Sequence, residues 1–258
     1  MSDYKFIKAF EKDGCAWISI NRPPLNVLDI PTMAEMNQAI REVKSREAEY
    51  KCLVITAEGE KAFSAGVDVS DHTEDKMDSM IETFHGIFMN LEELEIPLIG
   101  AVKGAALGGG CEVAIFCDIV IASDTLKIGQ PEIQVGVFPP LAAVVMPRVI
   151  PEKKAFELIV GGSVIRAEEA KALGLVNQVF PLDSFDEDFA KYLAGFTALS
   201  GSVMRMTKRA LRAAKGLPFA EAMEAAEKLY LGDLMTTEDA KEGLAAFMEK
   251  RKPVWTDK

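Results

Sequence analysis

The chain runs to 258 residues, 49% hydrophobic and 27% charged with ordinary glycine and proline usage, so it can enclose a core and is neither disordered nor fibrous. Lysine and arginine number 29 against 40 aspartates and glutamates, and the formal charge of -11 excludes nucleic acid as a general partner because it repels a phosphate backbone. A phosphorylated small molecule held by a few cations or a helix N-terminus stays compatible with that charge.

Taken in chain order, Tyr4 to Phe10 and Cys15 to Ile20 read as two short strands around the turn Glu11-Lys12-Asp13-Gly14. The segment "NRPPLNVLD" breaks the pattern, and a helix is predicted from Pro31 through Glu49, with Met33, Met36, Ile40 and Val43 at helical spacing. A strand "CLVITA" (52–57), a glycine-bearing loop, a helix from Asp75 to Leu94 and a strand "PLIGAVKG" (97–104) follow. This alternation predicts a mostly parallel sheet with helical cover and with the chemistry on loops at strand ends. After Pro181 only helices are predicted, at Phe185 to Leu199, Ser202 to Ala214, Pro218 to Leu231 and Thr237 to Arg251. The chain thus divides into an α/β core carrying the site, residues 1–182, and a helical region, residues 183–258, whose apolar faces suit packing on another subunit.

Cys15, Cys52, Cys111 and Cys117 show no C-x-x-C spacing, and only His72 and His85 accompany them, so no structural metal is expected. They read as small core residues of a reducing compartment. The N-terminus lacks the apolar region of a signal peptide, and charges or prolines interrupt every apolar stretch, so a cytoplasmic protein is expected.

"GGGCEVAIFCDIVIASDTLKIGQPEI" (108–133) carries the chemistry. It lacks the G-K-[ST] ending of a P-loop and the third glycine of a dinucleotide fingerprint. Three glycines opening an apolar helix clear side chains from the backbone, so N–H groups can approach a ligand with the helix dipole behind them. A tight strand-to-helix turn is the alternative reading of the same glycines. The loop "KAFSAGVDVSD" (61–71) offers a second donor from Ala65-Gly66-Val67, and two opposed N–H groups are what a developing enolate oxygen requires.

With these segments the sequence resembles the enoyl-CoA hydratase/isomerase (crotonase) superfamily over nearly its whole length. The resemblance rests on the order of "NRPPLNVLD", "AFSAGVDV", "VKGAALGGGCEVAIFCDIVIAS", "GQPEIQVGVFP", "EEAKALGLVNQVFP" and "EGLAAFMEKRKP". It implies a crotonase-type spiral of repeated β-β-α units with a C-terminal helical module for oligomerisation and active-site cover. It further implies an acyl-CoA substrate, no metal or separate cofactor, and a homotrimer or homohexamer. The oxyanion N–H groups would belong to Val67 and Gly109, and Glu112 and Glu132 would hold the attacking water. Substrate and coenzyme A would meet Asn26, Val27, Lys61, Ala65, Gly66, Asp68, Val69, Gly108, Pro131, Phe138, Pro139, Pro140 and Lys250.

Retention of both glutamates favours hydration, because water is a poor nucleophile that needs a base while an acid protonates carbon. Burial and like charge are expected to raise both carboxyls and leave one proton shared. Family hydratases follow "PE" with paired glycines and an arginine; here "GVFPPLAAVVMPR" stands instead. That departure, with "NRPPLNVLDIPTM" and "GVDVSDHTEDK", is more similar to the cyclohexa-1,5-diene-1-carbonyl-CoA hydratases of anaerobic benzoyl-CoA degradation than to short-chain hydratases. Hydration of a cyclic monoene or fatty enoyl-CoA, and crotonase-type hydrolysis or isomerisation, are the alternatives; an RNA-binding relative is disfavoured by the acidic balance.

His72 is read as capping the next helix with Asp71 and Thr73, with contact to substrate as the alternative, and His85 as a packing residue. Ser64 lies in no G-x-S-x-G elbow. Lys250, Arg251 and Lys252 either meet coenzyme A phosphates or form a charged helix end.

Overall fold

The structure, a computed structural model, describes residues 3–258. Strands β1 (Ile7–Lys12) and β2 (Cys15–Ile20) pair antiparallel with Lys12 opposite Cys15, so the reversal takes only Asp13 and Gly14, both at positive φ. The first strand therefore begins later and ends later than Tyr4 to Phe10. At its start the N–H groups of Lys5 and Phe6 donate to the Glu35 carboxylate at 3.0 and 2.7 Å.

Helix α1 (Ile30–Ser45) starts where Asp29 accepts a hydrogen bond from Thr32 N and Pro31 occupies the first turn. The helix expected to reach Glu49 stops at Ser45, and residues Glu47–Glu49 form a separate 3₁₀ turn. Next come β3 (Leu53–Ala57), β4 (Ala62–Ser64) and α2 (Met77–Glu92). The strand expected over 97–104 divides at Lys103-Gly104 into β5 (Leu98–Val102) and β6 (Ala105–Leu107), followed by α3 (Gly109–Phe116). The chain continues through β7 (Ile119–Ser123), β8 (Lys127–Gly129), α4 (Pro140–Val149), α5 (Glu152–Gly161), β9 (Val164–Arg166), α6 (Ala167–Leu173) and β10 (Gln178–Phe180).

Two sheets result. Six strands run in the order β1-β2-β3-β5-β7-β10 and four in the order β4-β6-β8-β9. Each of the units β3-β4-α2, β5-β6-α3 and β7-β8-α4 gives its first strand to the larger sheet and its second to the smaller, so the β-β-α repeat is a spiral rung. Pairings β2/β3, β3/β5 and β5/β7 are parallel, as are β4/β6 and β6/β8. Strands buried on both faces read as continuous apolar runs, as Leu98–Val102 does.

One face of the larger sheet packs with α1, α2 and α3 through residues such as Ile18, Met36, Ile55, Phe84 and Val113. The other face carries Cys15, Cys52, Val54, Ile99 and Ile121 against Phe185, Phe189 and Leu193 of α7 (Phe185–Thr197). Helices α8 (Gly201–Ala213), α9 (Phe219–Gly232) and α10 (Glu238–Glu249) complete the C-terminal region. Lys208 on α8 reaches Asp118 at 2.6 Å and Ile96 O at 2.8 Å, while the C-terminal strap is tied by Asp257 to Lys51 and by the Trp255 indole to Ala198 O. Among the described residues no helix is long and apolar enough to cross a membrane, and no group of three His, Cys, Asp or Glu could hold a metal ion.

Candidate active site

The ends of β4, β6 and β8 set the site. Leaving β4, Ala65 N donates to Leu25 O and Gly66 N to Ser64 Oγ, which fixes the loop against the buried Ser64. Leu28 then bonds both to Gly66 O, at 2.9 Å, and to Asp68 N, at 3.1 Å, forming a parallel bridge with Val67. In such a bridge the opposed residue turns its own N–H and C=O to the other side. The N–H of Val67 accordingly points away from Leu28.

From β6 the chain enters α3 through Gly108, whose φ of 53° and ψ of -125° lie where side-chain-bearing residues are strained. Gly109 is the first helical residue, so its N–H has no intrahelical acceptor. The two loops touch: a Cβ on Gly66 would stand 3.3 Å from Gly109 N, and one on Gly109 would stand 2.8 Å from a Val67 methyl and 3.0 Å from the Phe84 ring. Only a bare backbone lets the two loops close to this distance.

Glu112 lies on the first turn of α3 and is 2% exposed. Its Oε1 accepts from Ala142 N at 2.8 Å, and the Leu141 N–H also faces it. The carboxylate thus caps the otherwise unpaired N-terminus of α4. Burial nevertheless dominates and, with the Glu132 charge adding to it, pushes the Glu112 carboxyl up to about 7 against those two N–H groups.

Glu132 sits in a 3₁₀ turn, Pro131–Val135, immediately after β8. Its Oε1 comes 2.6 Å from where a Gly108 Cβ would be. Burial raises its pKa above the usual carboxylate value, while its own backbone N–H and the nearby His72 pull the other way. The fully buried Gln130, with its amide turned as its surroundings require, donates to both Glu132 oxygens at 3.1 Å. Gln130 carried no signal in the sequence.

The other predicted residues divide by position. Val27, Ala65, Asp68 and Val69 belong to the loop segments on either side of the Leu28–Val67 bridge. Pro131 opens the turn of Glu132, Phe138 is 66% exposed, and Pro139-Pro140 leads into α4, which Glu112 caps. Asn26 is buried with its Nδ2 committed to Glu58 O and Ala62 O and its Oδ1 to Arg22 N, so its amide holds the loop. Lys61 is exposed with its carbonyl on Ala105 N. Lys250 ends α10 in a left-handed cap, and that helix packs chiefly on α8 and the preceding 3₁₀ turn.

His72 departs from the capping expectation. Its Nδ1 contacts Asp68 O at 3.0 Å, while Asp71 accepts from Ile30 N and Lys76, and α2 begins only at Met77 without a side-chain cap. A carbonyl only accepts, so Nδ1 carries the proton. His85 packs beside Phe84 on α2.

A backbone N–H from each of two touching loops, beside a pair of carboxylates raised by burial, is a set of groups suited to enolate chemistry with proton transfer. The enoyl-CoA hydratase/isomerase family model matches residues 11–258, and the chain belongs to that family. It is 33% identical over 255 residues to a cyclohexa-1,5-dienecarbonyl-CoA hydratase of Thauera aromatica, covering 96% of this chain and 95% of that one. It is 37% identical over 251 residues to a short-chain-enoyl-CoA hydratase of Clostridium acetobutylicum, covering 94% of each. A crystal structure of an enoyl-CoA hydratase from Geobacillus kaustophilus superposes with a TM-score of 0.92 at 28% identity, over 100% of this chain and 98% of the other.

Proposed function

We propose that this chain, an acyl-CoA hydratase, adds water to cyclohexa-1,5-diene-1-carbonyl-CoA to give 6-hydroxycyclohex-1-ene-1-carbonyl-CoA. The observation that carries hydration is the convergence of two carboxyls on one glycine turn: Glu112 projects from the helix that Gly108 caps, and Glu132 fills the side-chain space of Gly108. The cyclic substrate is supported by "NRPPLNVLDIPTM", "GVDVSDHTEDK" and "GVFPPLAAVVMPR" and by the similarity to the Thauera protein.

In this reading the thioester oxygen lies between Val67 N–H and Gly109 N–H, which stabilise it as the dienolate forms. Glu132 takes a proton from water, whose oxygen bonds to ring carbon 2, β to the thioester. The π electrons shift onto the thioester oxygen and return as ring carbon 5 takes a proton, leaving the double bond between carbons 1 and 6. Renumbered, this is the 6-hydroxy product. Glu112, more deeply buried and with its carboxyl at about 7, is the acid. Water, two carboxyls and the ring balance every proton, so the step uses no metal or redox cofactor.

Loop residues around Val67 and the Pro131 to Pro140 segment would contact the acyl-CoA, and Lys250 would meet coenzyme A. A homotrimer or homohexamer in the cytoplasm completes the proposal. Packing on another subunit is supported by α9, which buries none of its residues and leaves Phe219 82% and Leu231 68% exposed.

The test is incubation of the purified protein separately with the cyclic diene, cyclohex-1-ene-1-carbonyl-CoA and crotonyl-CoA, following initial rate and product mass. Preferential gain of one water on the diene is expected. Preference for crotonyl-CoA would replace the cyclic reading by the short-chain one, and release of free coenzyme A thiol would replace hydration by hydrolysis.

A further inference from the structure

Strands β2 and β3 pair from Ala16 and Leu53 onward, and the residues just before them, Cys15 and Cys52, are both buried with their sulfurs 3.1 Å apart. The backbone is tied at the same place, Ala16 N donating to Cys52 O at 3.0 Å. Both thiols lie on the sheet face that packs on Phe185, Phe189 and Leu193 of α7, opposite the face that packs α1, α2 and α3. We propose that Cys15 and Cys52 are an oxidisable dithiol, a modification site that a hydroperoxide converts to a disulfide.

The contacts give the two sulfurs different parts. Cys52 S–H donates to the Cys15 sulfur, and the Cys15 S–H is directed at Asp13 O at 3.6 Å, toward the surface turn. The bond received from Cys52 pulls the Cys15 thiol down, helped by the Lys51 charge and opposed by burial and Asp13; the same bond together with burial keeps Cys52 protonated. Cys15, unlike Cys52, lines the surface depression beside the Asp13-Gly14 turn, so Cys15 is the sulfur that meets the oxidant and attacks.

The thiolate of Cys15 attacks one peroxide oxygen and breaks the O–O bond, giving a sulfenic acid and hydroxide. Cys52 sulfur then attacks the sulfenic sulfur, its proton leaving with the hydroxyl as water. Peroxide is reduced by two electrons and the two thiols are oxidised by two. The sulfurs need to approach by only about 1 Å to reach bonding distance. A surface depression of about 220 Å³ between the Lys12–Cys15 turn and Tyr50 leads to Cys15, so the Asp13-Gly14 turn is the route for a small oxidant. Among the described residues Cys111 and Cys117 have no sulfur partner, and burial pushes Cys111 well up and Cys117 up to about 12, which makes them internal controls.

The experiment treats the wild-type protein with a small excess of hydrogen peroxide, then denatures it, alkylates it and records its mass and linked peptides. Alkylatable thiols are expected to fall from four to two with a Cys15–Cys52 peptide. The crosslink closes a loop spanning 37 positions and should raise Tm by roughly 5–10 °C, reversibly with dithiothreitol. In C52A a sulfenic acid at Cys15 should be captured by dimedone, whereas C15A should give no capture at Cys52. Four thiols still alkylatable, a crosslink through Cys111 or Cys117, or dimedone on Cys52 in place of Cys15 would overturn the proposal; the wild-type arm needs no variant to fold.

Discussion

Glu132 occupies the space that a side chain on Gly108 would take, its Oε1 lying 2.6 Å from the position of that Cβ. The same glycine stands at a φ of 53° and opens the helix that carries Glu112. One residue thus admits one carboxylate and aims the helix of the other. In G108A the methyl displaces the Glu132 carboxylate and strains the turn by about 1–3 kcal/mol. Turnover should fall at least about 10²-fold, with a lower Tm but an unchanged far-ultraviolet dichroism spectrum; wild-type turnover in this variant would mean the Glu132 position has no bearing on the reaction.

Removing either carboxyl while keeping its shape separates chemistry from binding. E112Q and E132Q are each expected to lower kcat by about 10²–10⁴ with acyl-CoA affinity, read by calorimetry, largely kept. If the two act on one water, as proposed, the double variant should lose far less than the product of the single effects. Full activity in one single variant would remove that residue from the mechanism.

Gln130 provides a subtler probe. Its amide stabilises the ionised form of Glu132 by donating to both oxygens. In Q130L the Glu132 carboxyl rises further, so the acid limb of kcat/KM should move to higher pH while the limb governed by Glu112 stays in place. An unshifted acid limb would show that Gln130 does not act on Glu132.

The loop of Val67, the Gly109 turn and the two glutamates that the fold brings to Gly108 could be singled out as candidates in the sequence because the motifs around them are ordered and closely spaced. Gln130 could not, since nothing about a glutamine before Pro131 says that it is fully buried and aimed at the next carboxylate. The capping reading of Asp71 failed for a similar reason: its carboxylate is drawn 41 positions back in sequence to Ile30 N. Asn26, a candidate substrate contact in the sequence, uses its amide to bind three backbone groups, at Arg22, Glu58 and Ala62. Elements followed from periodicity, while the breaks at Lys103-Gly104 and after Ser45 depend on which sheet or helix receives the chain next. Tertiary partners of polar side chains are what a single sequence conceals.

Glu112 also makes stability depend on pH. Its carboxyl is raised from the ordinary 4.5 to about 7, so the fold prefers it protonated. Its favourable contribution is fully present below about pH 4.5 and is lost as pH rises through about 7, a difference on the order of 3 kcal/mol. E112Q stays neutral at every pH and should gain stability relative to wild type between pH 5 and pH 8. Urea denaturation of both proteins at those two values measures this directly. A wild-type-to-variant difference that does not change with pH would mean the carboxyl is not raised.

The C-terminal region is held to the core by a buried cation. Lys208 on α8 has a side chain only 8% exposed, reaches Asp118 at 2.6 Å and donates to Ile96 O at 2.8 Å, joining α8 to the entry of β5. Burial pushes its pKa down while Asp118 supports the charge. In K208M the methylene stem keeps its packing, but among the described residues Asp118 retains only the Leu98 N–H as a partner and the Ile96 carbonyl loses its donor. About 2–3 kcal/mol of stability should be lost, and adding D118N should recover part of it, because the isolated carboxylate then vanishes. Turnover per folded molecule should not change, since neither residue adjoins the glycine turn. If the double variant is as unstable as the sum of the two single ones, the two side chains are not coupled and α8 is held by its apolar contacts alone.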